Sequence, residues 1–200
     1  MSWTLEEGRR QFDVHIAQLA RAGYEVRRVP FFTESELLEM DRRAMDLLHG
    51  EMARVHLSWF EHYQARYRPR TARAIRRGQA ISDDELAACR ADQLLFRAKI
   101  TALMQEAGVD LWVTPASAGP APRGFDQTGW GGMTTAWSYA GLPCVTVPAG
   151  LSHDRLPLGL QCVAGFGDDE LLLTWANDIA DVFSMSANVT SASRDYMPTP

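Results

Sequence analysis

The sequence contains very little lysine, little cysteine and no long apolar segment. Lys99 is the single lysine in 200 residues, against nineteen arginines. The three cysteines, Cys89, Cys144 and Cys162, are widely spaced in apolar surroundings, which predicts reduced, buried thiols. No apolar run approaches the roughly 20 residues that a helix needs to cross a bilayer. No C-x-x-C pair and no histidines at zinc-like spacing occur, so we expect no metal and no cofactor.

The overall composition is that of an ordinary globular chain. Apolar residues make up 46% of the sequence, and the net charge is −5. This balance argues against disorder and gives no general attraction to nucleic acid. The N-terminal residues lack the basic and apolar regions of a signal peptide, so we expect a cytoplasmic protein that does not bind membranes.

The first third of the chain is predicted to be mainly helical. Residues 5–22 show the apolar periodicity of an amphipathic helix, and residues 24–29 alternate like a short strand. We therefore assign residues 1–32 to an αβ step. Thr33 and Glu36 form a capping-box pattern, and the following helix carries apolar residues three and four apart. Those residues are Met45, Leu48, Met52, Val55 and Trp59.

A second long helix is predicted to begin after Ser82, where acidic residues occupy a helix N-terminus. It extends to about residue 107, with an inward face of Leu86, Cys89, Phe96, Ile100 and Leu103. Residues 33–108 thus form a helical region in which the two long helices run antiparallel.

The character of the sequence changes at residue 109. Residues 110–115, 145–147 and 158–163 are short apolar runs that predict strands, and Gln161 within the last run needs a hydrogen-bond partner for its amide. Residues 133–140 predict a short helix, which Gly141 can end by adopting a positive φ. We assign residues 109–184 to a strand-rich part and residues 185–200 to a frayed tail. Strands alternating with helices predict an α/β fold.

Several motifs resemble, in order, segments of the amidase signature family. The resemblance covers most of the chain, and the motifs are LARAGYEVRRVP at 19–30, YRPR at 67–70, DLWVTP at 110–115, PAP at 120–122, WSYAGLP at 137–143, PAG at 148–150 and LGLQ at 158–161. It implies the C-terminal part of the amidase signature fold, a mixed sheet flanked by helices with a long helical pair inserted. It also implies hydrolysis of a carbon–nitrogen amide bond in a small non-peptide substrate.

The family's catalytic Gly/Ser-rich segment, with its lysine and two serines, has no counterpart in this sequence. The resemblance therefore implies a C-terminal half that carries no catalytic residue and is inactive without an N-terminal catalytic half. We expect such a half-sheet to bind a catalytic amidase half or to self-associate. By resemblance, Trp130, Met133 and Trp137 lie beside the acyl-binding cleft and are candidates for contacting a small amide substrate.

Some lysine, serine and histidine residues resemble catalytic groups, but a structural role explains each of them better. Lys99 lies in mid-helix and is expected on its polar face. Ser117 lacks the strand–turn–helix context of a nucleophile elbow. Ser152, His153 and Asp154 are consecutive in a predicted turn, so their side chains diverge instead of forming a triad.

Two alternatives to an amidase segment remain open. The chain could be a non-catalytic ligand-binding or regulatory module derived from an amidase. It could also bind RNA through the arginine-rich region 54–77, although a solvated arginine face explains that region better. The arginines and aromatics concerned are Arg66, Arg68, Arg70, Arg73, Arg76, Arg77, Trp59, Phe60, Tyr63 and Tyr67.

Overall fold

A computed structural model describes residues 6–124, 126, 129 and 132–192, with side chains described as far as residue 184. The chain divides into two compact units. The strand-containing unit comprises Met1–Pro30 and Thr101–Pro200, and the helical unit comprises Phe31–Ile100.

The described residues form seven α-helices and three strands. In chain order these are α1 (Glu6–Arg21), α2 (Glu34–Val55), α3 (Leu57–Tyr63), α4 (Pro69–Gln79), α5 (Asp83–Ala107), β1 (Trp112–Pro115), α6 (Gly132–Ala140), β2 (Cys144–Leu151), β3 (Pro157–Val163) and α7 (Asp169–Ala192). A single 3₁₀ turn, Gln64–Arg66, follows α3. The residues of α5 as far as Ile100 belong to the helical unit.

Both long helices of the helical unit begin with reciprocal caps. Thr33 Oγ1 accepts from the Glu36 amide at 3.3 Å, and the Glu36 carboxylate accepts from the Thr33 amide at 2.9 Å. Ser82 and Glu85 repeat this arrangement at 3.2 and 2.8 Å. Each cap satisfies amide groups that a helix N-terminus otherwise leaves unpaired. The helix starts expected at these two positions are therefore confirmed.

The two long helices run antiparallel, as expected. Arg54 near the end of α2 pairs with Asp83 at the start of α5, while Glu51 pairs with Arg90 one to two turns further along α5. Residue numbers thus rise along α2 as they fall along α5. The inward face predicted for α5 is also confirmed for Leu86, Cys89, Phe96 and Ile100, which are all buried.

The inward face predicted for α2 is wrong by about one position. Leu48, Val55 and Trp59 are 49%, 66% and 55% exposed. The buried residues are instead Met40, Leu47, Gly50 and Ala53. Small residues on this face let α4 approach closely, so backbone proximity and not side-chain size selects the buried face.

Helix α4 supplies the closest helix contact of the helical unit. Pro69 starts α4 at its first turn, where a missing amide hydrogen costs nothing. A side-chain carbon at Gly78 would fall directly on the backbone carbonyl of His49. Ala53, Phe60, Ala72 and Ile75 form the buried cluster around this contact.

The sheet of the strand-containing unit has three strands in the order β1-β3-β2, and both pairings are antiparallel. The mixed pairing expected from the sequence is therefore not observed among the described strands. Only five residues, 152–156, join β2 to β3. A connection this short can reverse the chain, whereas a parallel crossover needs a dozen or more residues.

One face of this sheet forms the core of the unit. Val147, Leu160 and Cys162 point to this face and pack with Leu19 of α1 and Ile179 of α7. Leu160 and Cys162 have no exposed surface. Burial raises the pKa of Cys162 to about 11, so this thiol is protonated at neutral pH.

Some expected elements differ from the observed ones. Residues 24–29 form no strand; Val26 packs against the core while Arg27 and Arg28 turn to solvent and pair with Glu25 and Asp13. The alternating polarity of residues 24–29 therefore belongs to a half-buried extended segment that pairs with none of the described strands. Helix α7 continues to Ala192, so the tail expected from residue 185 is helical that far. Residues 193–200 lie outside the described residues.

Candidate functional site

The sheet face opposite α1 and α7 is the candidate functional surface. Because successive strand residues point to opposite faces, the residues that alternate with the apolar core share this face. We call it the second sheet face. The strand register and the bond from the Ala116 amide to the Gly159 carbonyl arrange it in three rows: Trp112, Val163 and Cys144; Thr114, Gln161 and Thr146; Ala116, Gly159 and Pro148.

The middle row is polar. Gln161 is only 3% exposed, and Thr114 Oγ1 donates to its side-chain oxygen at 3.2 Å. Thr146 stands opposite Gln161 on the other neighbouring strand. The expectation that Gln161 needs a partner is thus confirmed for its amide oxygen. A buried hydrogen-bonded glutamine in the middle of a sheet face differs sharply from the purely apolar opposite face.

The second sheet face is accessible along β2. Its three outward residues there, Cys144, Thr146 and Pro148, are all exposed. The expectation that Cys144 is buried is therefore wrong, because Cys144 lies on β2, an edge strand of the described sheet. Only Cys89 and Cys162 match the prediction of buried free thiols.

Helix α6 contains two of the three residues suggested for substrate contact. Trp137 is 4% exposed and stacks on Trp112 of β1, with ring centroids 6.3 Å apart and an interplanar angle of 27°. Met133 lies one turn earlier and is half-buried. The structure thus places both residues on one helix at the Trp112 end of the second sheet face. Trp130 lies outside the described residues.

The end of α6 has the geometry expected from the sequence. Gly141 adopts φ +67°, which favours glycine, and the Leu142 amide donates to the Trp137 carbonyl at 3.0 Å. Pro143 then leads into β2, and its carbonyl accepts from the Ala164 amide at 3.2 Å. This turn ties α6 to the end of β3 and so fixes the position of the helix.

A polar stripe on α1 supports the β2–β3 turn. The carboxylate of Glu7 accepts from the His153 amide at 2.6 Å. Gln11 Nε2 lies 3.3 Å from His15 Nε2, and His15 is 2% exposed with its ring edge-on to Phe183. Burial lowers the pKa of His15 below its ordinary value. The stripe therefore holds the turn with neutral and charged polar contacts.

Sequence reasoning did not identify this stripe. Its signal is the spacing of Glu7, Gln11 and His15, which are each four residues apart and so share one helix face. That spacing shows which residues share a face but not what the face contacts.

The side chains that could imitate a catalyst are engaged elsewhere or isolated. Lys99 is exposed on α5 in the helical unit. Ser117 Oγ donates to the Gly119 carbonyl at 2.6 Å within its own loop. Among the residues that the structure describes, no hydrogen bond joins Ser117 to a lysine or histidine that could activate it.

The Ser152–Asp154 segment is a turn, as expected. Ser152 is 7% exposed, and its hydroxyl oxygen accepts from the Leu156 amide at 3.1 Å. His153 and Asp154 are exposed at the tip of the turn. These contacts close the connection between β2 and β3 and form no Ser–His–Asp chain.

Metal and membrane sites were also sought among the residues that the structure describes. No group of three or more histidine, cysteine, aspartate or glutamate side chains is placed there to hold a metal ion. None of the described helices combines the length and apolarity needed to cross a bilayer.

The arginine-rich region is split between inward and outward side chains. Phe60 is 2% exposed, whereas Trp59 and Tyr63 are 55% and 54% exposed. Arg77 donates to Asp46 at 3.3 Å, and the Arg76 guanidinium lies over the Phe60 ring. Part of the basic charge is thus used within the helical unit.

Comparison with known protein families decides the relationship of this chain. The family model described as Amidase matches residues 4–173. The chain belongs to the amidase family. Among curated relatives, it is 27% identical over 123 residues to the putative amidase AmiA2 of Mycobacterium bovis. It is 28% identical over 118 residues to the 6-aminohexanoate-cyclic-dimer hydrolase of Paenarthrobacter ureafaciens.

These matches cover only part of the relatives. The aligned segments are 56% and 50% of this amidase-family chain but 25% and 24% of the two relatives. A crystal structure of an amidase superimposes with a TM-score of 0.76 at 22% identity, covering 94% of this chain and 43% of that one. The α/β class expected from the sequence is thereby confirmed as the fold of amidase structures.

Proposed function

We propose that this chain is the C-terminal segment of an amidase that hydrolyses a carbon–nitrogen amide bond in a small non-peptide substrate. It acts with an N-terminal catalytic half that supplies the lysine and two serines, and it is inactive alone. The observation that carries the proposal is the coverage, since 94% of this chain corresponds to 43% of an amidase chain. The lack of an activated serine or lysine among the described residues supports it.

The second sheet face is the surface we propose for the catalytic half. It combines the exposed residues Cys144, Thr146 and Pro148 with the buried amide of Gln161. A hydrogen bond such as the one between Thr114 and Gln161 becomes stronger when a docked partner excludes water from it. The part of the amidase structures that this chain does not cover is large enough to act as that partner. Self-association through the β2 edge is the competing occupant.

Substrate contact is proposed for one end of this surface. Met133 is half-buried on α6 and can reach a bound acyl group, while Trp137 holds α6 against Trp112. Trp130, which precedes α6, is proposed as a further substrate-contacting residue. A flexible methionine suits apolar substrate groups of varied shape.

The first test measures amide hydrolysis. The purified chain is incubated with hexanamide, benzamide and acetanilide, and released ammonia or aniline is quantified. We expect no release above background from the chain alone, since loss of a nucleophile costs about a million-fold in rate. Addition of an N-terminal catalytic half from an amidase of this family should restore hydrolysis. Turnover by the chain alone that is abolished by Ser117→Ala or Ser152→Ala would contradict the proposal.

A second test addresses the surface. Thr146→Arg places a long cation in the centre of the second sheet face, and we expect it to weaken binding of the catalytic half at least tenfold by calorimetry. Leu173→Arg is the matched control, because Leu173 is 62% exposed on α7. Equal weakening by both variants would contradict docking on the second sheet face. Concentration-dependent dimerisation that only Thr146→Arg abolishes would favour self-association.

Binding experiments with the same purified chain distinguish the two alternative functions from the amidase segment. A regulatory module would bind small amides saturably but show no turnover even with the catalytic half. An RNA-binding protein would bind single-stranded RNA with an affinity that falls steeply with salt.

A further inference from the structure

A cleft of about 410 Å³ lies within the helical unit. Its volume falls within the roughly 300–1,000 Å³ of small-molecule sites. The lining residues come from one stripe of α3 with its following turn and one stripe of α4: Leu57, Phe60, Glu61, Gln64, Arg76 and Gln79. The two stripes have helical spacing, i, i+3, i+4, i+7 on the first and i, i+3 on the second, so each presents a single face to the cleft.

Arg76 is the cationic group of this cleft. Its guanidinium lies over the Phe60 ring at 5.6 Å from the ring centroid. Phe60 is 2% exposed and belongs to the buried cluster, so it offers a fixed surface for the guanidinium. Arg76 makes no ion pair with any residue that the structure describes. Its hydrogen-bond donors are therefore available to a carboxylate.

Glu61 contributes the opposite charge. It lines the cleft from α3 and forms no ion pair within the described part of the chain, with Arg76 or any other cation. Two opposite charges thus line one cleft without meeting each other. Leu57 is 62% exposed and supplies apolar surface, and the amides of Gln64 and Gln79 can each donate and accept hydrogen bonds.

We propose that this cleft binds a small zwitterion whose ammonium and carboxylate groups are separated by a short apolar chain. Arg76 binds the carboxylate, Glu61 binds the ammonium group, and the exposed Leu57 side chain contacts the methylene groups. The inference does not rest on the proposed amidase function, because every residue that carries it lies in the helical unit.

The test is calorimetric titration of the full chain with 5-aminopentanoate. Pentanoate and pentylamine, which each retain one of the two charges, are the matched ligands. We expect 5-aminopentanoate to bind at least tenfold more tightly than either, which corresponds to about 1.4 kcal/mol. Failure of 5-aminopentanoate to bind, or equal binding of all three ligands, would overturn the proposal.

Variants assign the two charges. Arg76→Gln should weaken 5-aminopentanoate and pentanoate about tenfold but leave pentylamine unchanged. Glu61→Gln should reduce 5-aminopentanoate to the affinity of pentanoate. Arg73→Gln is the control, since Arg73 is exposed on the same helix and does not line the cleft. Equal effects of the two arginine variants would indicate diffuse charge attraction and contradict the site.

A folding control keeps the result interpretable. Arg76 packs on Phe60, so its loss could disturb the helical unit. Arg76→Lys retains the charge but not the planar donors, and should bind 5-aminopentanoate with intermediate affinity. Circular dichroism spectra and melting temperatures of all variants should match those of the unmodified chain. Binding by Arg76→Gln as tight as by the unmodified chain would show that the guanidinium is not the anchor.

Discussion

The strand-containing unit and the helical unit bury their apolar side chains in different ways. In the former, strand pairing brings Val147, Leu160 and Cys162 together under α1 and α7, and the second sheet face keeps a polar row. In the latter, neighbouring helices approach through small residues such as Gly78 and carry ion pairs on their surfaces. The difference teaches that strand pairing in the first unit leaves a polar row on an accessible sheet face, whereas the second unit depends on close approach between helix backbones.

The largest effect is expected from emptying the core of the strand-containing unit. Leu160→Ala should lower the free energy of unfolding by about 3–5 kcal/mol, because Leu160 has no exposed surface and its loss leaves a cavity. Urea denaturation measures the loss, and hydrogen exchange localises it to β3. Leu173→Ala on the exposed side of α7 should change little. If Leu160→Ala lowered hydrogen-exchange protection equally in β3 and α4, the two units would not differ in the way described above.

Close helix contact in the helical unit is tested by adding one methyl group. Gly78→Ala should cost about 2–3 kcal/mol, since the new carbon meets the rigid backbone carbonyl of His49. Gly50→Ala is the matched control, because the carbon there meets the side-chain ends of Leu86, Arg54 and Ile81 and no backbone atom is among its nearest neighbours. It should be nearly neutral, helped by alanine's better helix propensity. Thermal unfolding of the two variants distinguishes the outcomes; equal destabilisation would argue against backbone contact at Gly78.

The pH dependence of stability sharpens the comparison further. Burial lowers the folded-state pKa of His15 in one unit and of His49 in the other below the ordinary 6.5. Below pH 6.5 the unfolded chain gains protons that the folded chain does not. Stability contributed by the neutral rings is thus complete above pH 6.5 and is lost as the pH falls towards the folded pKa values. Each histidine contributes up to about 1.4 kcal/mol per pH unit.

Single variants separate the two contributions. His15→Gln should reduce the slope of unfolding free energy against pH below pH 6.5, and His49→Gln should reduce it independently. Urea denaturation at several pH values provides the measurement. An unchanged slope in both variants would mean that other groups cause the pH dependence.

The smallest effect is expected from surface ion pairs. Arg54→Gln removes the pair with Asp83, which is 92% exposed, and should lower the melting temperature by about 2 °C or less. Arg73→Gln, which removes an exposed arginine that pairs with no described residue, is the control. The difference between them should shrink in high salt. A large salt-independent loss would show that the carbonyl contacts of Arg54, and not its charge pair, hold the helices.

Local signals in the sequence were reliable wherever the physics is local. Thr33 and Ser82 cap helices as expected, Gly141 ends α6, and Ser152 begins a turn. Caps and turns depend on residues three or four apart, so their pattern is complete in the sequence. The three strands were also recognised, because each is a short apolar run bounded by turn residues.

Errors arose where another segment decides the outcome. The alternation at residues 24–29 is real, but the segment pairs with none of the three described strands. The buried face of α2 is shifted because Gly78 of α4 approaches the His49 carbonyl. Cys144 is apolar in sequence context yet exposed at a sheet edge. In each case the neighbouring element, and not the residue's own polarity, sets burial.

The candidate site shows the same division. The motifs around residues 110–163 indicate the amidase family, and the absence of a catalytic lysine and serine segment is read directly from the residues. That Thr114, Gln161 and Thr146 form one row required the strand register, which joins residues up to 47 positions apart.

The sequence by itself determined the family and the helix starts and turns, because these depend on residue identity and short-range spacing. Tertiary structure alone decided which sheet face stays polar and accessible, and that Glu61 and Arg76 share a cleft. Those features arise from side chains brought together across distant segments, and their juxtaposition is fixed by strand pairing and helix packing.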